Sequence, residues 1–207
     1  KKWRDASRAG DRANEAQQRQ PTREEMEQMK GLLREGMDLG AIGFSTGLMY
    51  PPGMYSTTDE VVELAREVAP YGGIYTSHVR NPARDWLASN REAIEVGERA
   101  GIPVKLTRLK ALGLHNAPKV DSLIAMVEAA RGRGQTVVSD QYPYDAAGGS
   151  IKIKHLIIIT DDWEKNYTLL ANSDTLEALL SDPTWRDRIK RRSEQGIDGG
   201  FSWIKTI

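Results

Sequence analysis

The chain has 207 residues, enough for one good-sized domain or two small ones, and its 39% hydrophobic and 28% charged side chains are ordinary for a globular protein. Its 29 basic and 29 acidic residues cancel and are interspersed along the chain, so no bulk field recruits nucleic acid or an anionic membrane. No apolar run approaches the roughly 18 residues that span a bilayer, and Lys1-Lys2-Trp3-Arg4-Asp5 lacks the apolar core of a signal peptide. The complete absence of cysteine excludes disulfides and thiol chemistry and fits a cytoplasmic protein. Three histidines, His78, His115 and His155, are too few to build a multi-histidine metal centre easily from this chain alone.

Residues 1–20 are polar, rich in Arg and Gln, and read as an arm held by other structure. Thr22 and Glu25 have the spacing of a capping box, which predicts a helix through Met26, Met29, Leu32 and Leu33 that stops at Gly40. Short apolar runs follow, at Ala41–Ser45, Gly73–Ser77, Pro103–Thr107 and Thr136–Ser139. Each is too short for a helix and suited to a buried strand. Helical stretches separate them. Thr57 with Glu60 boxes the first, which carries Val61, Leu64, Ala65 and Val68 on one face. Asn81-Pro82 opens the second, with Pro at the first helical position, and Pro118 opens the third, with Leu123, Ile124 and Val127 at helical spacing.

The expected strand ends at Ser45, Ser77, Thr107 and Ser139 are 32, 30 and 32 residues apart, a steady βα period. Right-handed crossovers make such strands parallel and bring their carboxyl ends to one rim. The pattern predicts an α/β fold over 21–147: a partial (β/α)8 TIM barrel of about four consecutive βα units. A closed barrel needs eight units and typically about 250 residues. A doubly wound sheet competes, but no Gly-rich phosphate fingerprint follows the first strand. From Gly148 the rhythm breaks, and 148–207 reads as a small carboxyl-terminal insertion subdomain. It would contain an alternating strand at Ile151–Ile159, helices at Asp174–Leu180 and from Asp182-Pro183 onward, and a terminal strand at Phe201–Ile204.

Barrel enzymes carry their chemistry on the carboxyl rim, where strand ends are rigid and the following loops vary. His78, just past a strand end, can offer a ring nitrogen to zinc or can hydrogen-bond loop backbone. Arg80 and Lys110 can hold a substrate carboxylate or form salt bridges with neighbouring loops. Tyr142 and Tyr144 flank Pro143 and can place hydroxyls over a ligand or pack beneath the tail. Asp140 suits a ligand, a base or a turn cap. His115 reads as loop-structural, His155 as a surface or packing residue, and Gly47–Gly53 as a shaped wall.

Four strings in order, Gly43–Gly53, Tyr75–Arg80, Pro103–Lys110 and Asp140–Tyr144, resemble the N-acyl-D-amino-acid deacylases (D-aminoacylases) of the amidohydrolase superfamily. The likeness runs from about Pro21 to Gly148. It implies zinc-dependent hydrolysis of the amide of an N-acyl-D-amino acid, a small-molecule substrate. His78 matches a family metal ligand, and Lys110 and Tyr144, with Tyr142, match positions suited to the substrate α-carboxylate. Arg108 stands where the family usually has a second histidine ligand, and a guanidinium has no lone pair for a metal. The family's His-x-His pair and ligand cysteine would precede Lys1, and its catalytic aspartate would follow Ile207. The chain therefore reads as an internal segment of a longer enzyme, with no complete catalytic set of its own and with doubtful zinc occupancy. A non-catalytic fragment or binding module, or a cyclic-amide hydrolase of the same superfamily, are the alternatives. Open strand edges would favour self-association.

Overall fold

A computed structural model describes residues 18–50, 52–82, 85–109, 111, 114–141, 143, 177–178, 181–187 and 191, the side chains of Leu114 and His115 excepted. The chain divides into two compact units. One comprises Glu15–Leu112 and Asn116–Tyr142; the other comprises Lys1–Asn14, Gly113–His115 and Pro143–Ile207.

The first unit is built from a helix followed by repeating strand and helix. Helix α1 (Arg23–Asp38) begins at the expected box: Thr22 accepts from the Glu25 N–H at 3.2 Å, and the Thr22 N–H donates to Glu25 Oε2 at 2.9 Å. It ends before Gly40, whose φ of 97° is open to glycine and costly for residues with a Cβ. Then come β1 (Gly43–Gly47), α2 (Thr58–Arg66), β2 (Ile74–His78), α3 (Trp86–Ala100), β3 (Val104–Leu106), α4 (Val120–Gly132) and β4 (Val137–Ser139). All three strand pairings are parallel, and the strand order is β1-β2-β3-β4. The predicted alternation of strand and helix is therefore present. The order has no reversal among these strands, whereas a doubly wound sheet turns back at a switch point.

Two expected helix starts need correction. Asn81-Pro82 does not open a helix; α3 starts at Trp86. The Asn81 N–H instead donates to Ser89 Oγ at 3.0 Å, and its side chain donates to Asp85 Oδ2 at 3.1 Å. A proline also disfavours helical backbone at the residue before it. Pro118 likewise lies inside a 3-10 segment, Leu114–Lys119, and α4 starts after it at Val120.

The core forms where one face of the sheet meets α2, α3 and α4. Tyr75 from β2, Val104 and Leu106 from β3 and Val137 from β4 are buried against Val61, Val62 and Ala65 of α2, Ala93, Ile94 and Val96 of α3 and Ala130 of α4. Contact between α3 and β3 is so close at Gly97 that a Cβ there would collide with Val104 and stand 2.7 Å from Gln135 Nε2. On α4, Leu123 is buried and Val127 packs against the core, but Ile124 is exposed. On the outer surface, ion pairs tie each helix to the next: Lys30 to Glu63, Asp59 to Arg99 and Glu98 to Arg133, each at 2.5 Å. Exposed pairs of this kind contribute little individually. No helix of the described residues is long and apolar enough to cross a membrane.

In the second unit, Asp182 caps a helical turn as expected, accepting the Thr184 N–H at 2.9 Å, with Pro183 at the first position. The strands expected at Ile151–Ile159 and Phe201–Ile204 lie outside the described residues.

Candidate active-site mouth

Parallel in-register pairing brings the carboxyl ends of the strands, Gly47, His78, Leu106 and Ser139, to one side of the sheet. Side chains alternate across a strand, so Tyr75 and Ser77 point to the helices while Thr76 and His78 lie on the other face. The same alternation puts Lys105 on the face away from the helices, between the buried Val104 and Leu106. That face is polar. Thr76 Oγ1 and Thr107 Oγ1 are 2.5 Å apart, and Thr76 Oγ1 also donates to the Lys105 carbonyl at 3.2 Å. On the helix face, Thr46 bonds the Tyr75 hydroxyl at 2.8 Å and Ser77 Oγ at 2.9 Å, and burial pushes the Tyr75 phenol above its ordinary pKa.

His78 is the last residue of β2, opposite Gly47 in register. Its carbonyl accepts the Leu48 N–H at 3.0 Å, which starts the wall on the mouth, described at 47–50 and 52–57. The Tyr50 ring meets the imidazole edge-on, with centroids 5.2 Å apart and planes at 63°. The wall folds tightly on itself: the Met54 N–H donates to the Tyr50 carbonyl at 2.9 Å, and a Cβ at Gly53 would stand 2.8 Å from the Gly47 carbonyl oxygen.

Arg80 holds this wall in place. Its Nη1 donates to the Met54 carbonyl at 2.7 Å and its Nη2 to the Ser56 carbonyl at 3.0 Å. Nε and Nη2 grip the two oxygens of Glu92 on α3 at 3.1 and 2.8 Å, and Thr58 donates to the same carboxylate at 3.0 Å. Of the two roles open to Arg80 from the sequence, these contacts match the salt bridge to neighbouring elements.

On the next strand, Arg108 takes φ of 59°, the one left-handed non-glycine among the described residues. Its N–H donates to Asp140 Oδ1 at 2.6 Å, and Asp140 Oδ2 pairs with Lys105 Nζ at 2.7 Å. The Lys105 ammonium and the Arg108 N–H hold the Asp140 carboxyl below its ordinary pKa.

The structure thus brings His78, Arg80, Arg108 and Asp140 to successive strand ends, as expected. Lys110, Tyr142, Tyr144 and His155 lie outside the described residues, as does the side chain of His115. Sequence reasoning missed Glu92, Tyr50 and Lys105. A lysine alternating with Val104 and Leu106 in a core strand was a readable signal for the last.

No group of three His, Cys, Asp or Glu side chains able to hold a metal occurs among the described residues. Asp140 is engaged by a cation and an N–H, so the chemistry of the described donors fits one metal ligand at this mouth, the His78 imidazole.

No family model matches the chain. A D-aminoacylase of Alcaligenes xylosoxydans xylosoxydans is 35% identical over 162 residues, which are 76% of this chain and 33% of that relative. An N-acyl-D-glutamate deacylase of the same organism is 37% identical over 125 residues, 60% of this chain and 26% of the relative. The chain is a relative of the N-acyl-D-amino-acid deacylases. It spans about a third or less of the length of these deacylases. Among solved deacylase structures, a D-aminoacylase described as defining a novel subset of amidohydrolases superposes with a TM-score of 0.58 at 32% identity, over 61% of this chain and 27% of that one. An N-acyl-D-glutamate deacylase of Bordetella bronchiseptica, complexed with zinc and a phosphonate mimic of the tetrahedral intermediate, superposes with a TM-score of 0.60 at 34% identity, over 62% and 27%. A further D-aminoacylase structure concerns a binuclear metal centre.

The Arg80 clamp yields a prediction. Arg80 is 29% and Glu92 14% exposed, so their charged hydrogen bonds are partly shielded from water. Arg80→Ala should destabilise the fold by about 1–3 kcal/mol and expose the 53–57 wall to protease. Urea unfolding and limited proteolysis check this; an unchanged midpoint and cleavage pattern would remove the clamp from the account.

Proposed function

We propose that this chain supplies one side of the mouth of a zinc-dependent amidohydrolase that cleaves the amide of N-acyl-D-amino acids. The observation that carries this is the 35% identity to D-aminoacylase together with His78 at the end of a parallel strand. In this reading the four βα units are part of a (β/α)8 barrel, residues 1–20 are an arm, 148–207 are an inserted subdomain, and the compartment is the cytoplasm.

His78 would give one imidazole to the metal, with the Tyr50 ring limiting its rotation. Zinc, when bound, lowers the pKa of a water and polarises an amide carbonyl. Lys110, Tyr144 and Tyr142 would bind the substrate α-carboxylate, which fixes the amide relative to His78. Arg80 would act one step removed, by holding the wall that carries Tyr50. Hydrolysis adds water across the C–N bond and releases a carboxylate and the free D-amino acid. Asp140 is held by Lys105 and Arg108, so it is not free to act as the general base. That role falls to a residue elsewhere in the enzyme.

Arg108 favours a second reading, in which one metal position has been lost and the protein binds one zinc or none. Ile42 on the approach to β1 is 85% exposed, and Val138 of β4 is also exposed. Those edges would pair with further barrel strands or with a second copy; a monodisperse monomer by light scattering would count against the second copy.

The 207 residues alone should not hydrolyse N-acetyl-D-glutamate, because among the described residues the mouth offers one imidazole, His78, and one imidazole does not hold zinc against water. Metal-dependent turnover by this chain by itself would overturn the view that its centre is incomplete. In a protein carrying the whole barrel, Arg108→His should raise bound zinc measured by elemental analysis. Unchanged stoichiometry would dispose of the vacated-ligand idea.

A further inference from the structure

Asp140, just past β4, ties the end of that strand to the chain leaving β3 through both its side chain and its backbone. Its Oδ1 accepts the Arg108 N–H at 2.6 Å and its Oδ2 pairs with Lys105 Nζ at 2.7 Å. Its own N–H donates to the Leu106 carbonyl at 3.2 Å, and its carbonyl accepts the Leu109 N–H at 2.9 Å. The β3–β4 pairing is thereby carried beyond both strands, and two successive N–H groups of the outgoing chain, at 108 and 109, end on one residue.

Arg108 needs such restraint. Its φ of 59° is a conformation that residues other than Gly, Asn, Asp and His seldom hold, because Cβ crowds the backbone. A strained residue persists only where its surroundings over-determine it, and such residues gather at functional sites. Asp140 supplies the determinants from the neighbouring strand. With both carboxylate oxygens engaged, it is poorly placed to serve as metal ligand or base, the other roles its position suggests.

We propose that Asp140 is a positioning residue that latches Arg108 in the left-handed conformation and so sets the course on which the chain leaves β3 toward Lys110. The functional meaning of that course rests on the deacylase reading above; the latch itself does not. Lys105 is the cation facing Asp140 from β3. It reaches the carboxylate from the polar side of the sheet, so the latch ties the interior of the mouth to its rim.

The test is amide hydrogen exchange by NMR on the full chain, comparing wild type, Asp140→Asn and Asp140→Ala, with thermal melting of Asp140→Ala and the double variant Asp140→Ala/Arg108→Gly. Asp140→Ala should speed exchange at Arg108 about tenfold or more while Tyr75 and Val104 stay protected. Asp140→Asn keeps an acceptor oxygen and should stay within about threefold of wild type. Adding Arg108→Gly should return melting temperature lost in Asp140→Ala, because glycine holds positive φ without a latch. Unchanged Arg108 exchange in Asp140→Ala would overturn the proposal. So would a loss of protection shared equally by Tyr75 and Val104, which would mark general destabilisation. Neither readout requires turnover, so the deacylase reading can fail while this inference stands, and the reverse.

Discussion

In-register parallel pairing of β1 to β4 governs every placement at the mouth. Side chains alternate with a period of two along a strand, so a slip of one residue would send His78 and Lys105 into the helix layer and expose Tyr75 and Leu106. The large difference in hydration between these two sets holds the register. Tyr75, Val104 and Leu106 are fully buried against α2 and α3, while Lys105 on the intervening position keeps its ammonium at the surface beside Asp140. The same alternation that makes the core makes the polar face.

On that frame, two latches shape the rim. Arg80 joins the wall after β1 to Glu92 on α3, and Asp140 joins the turn after β3 to the end of β4. Each spans elements that the sheet alone does not fix, and each uses a charged group with two engaged ends. Their geometry is also specific. Arginine binds a carboxylate through two parallel bonds and still reaches carbonyls, which lysine cannot do at Arg80. At Asp140 the carboxylate answers a backbone N–H and a cation at once. The rim residues thus divide between those that face the mouth, such as His78, and those that hold others in place.

Much of the frame was legible in the sequence because its causes are local. The period of about 31 residues between apolar runs located all four strands, and the Thr22–Glu25 box located a helix start to the residue. Errors arose where tertiary contacts override local preference. Asn81-Pro82 has the composition of a helix opening, yet Ser89 captures the Asn81 N–H and α3 waits until Trp86. The Arg80–Glu92 pair joins residues twelve apart across a loop whose path no local rule sets. Nor does arginine signal a left-handed turn; the reason for φ of 59° at Arg108 lies 32 residues away at Asp140. The family likeness was legible in four strings, while the side chains proposed to bind substrate lie outside the described residues.

The chain has no cysteine, so an introduced pair reports the strand register without interference. Ser45 and Thr76 are register partners on adjacent strands. At the usual strand spacing of about 4.8 Å they are within reach of a disulfide, whereas Ser77 points to the opposite face. Oxidation should cross-link the Ser45→Cys/Thr76→Cys protein and leave the Ser45→Cys/Ser77→Cys protein open. Cross-linking of the second pair in preference to the first would contradict the register, and with it the placement of His78 at the mouth.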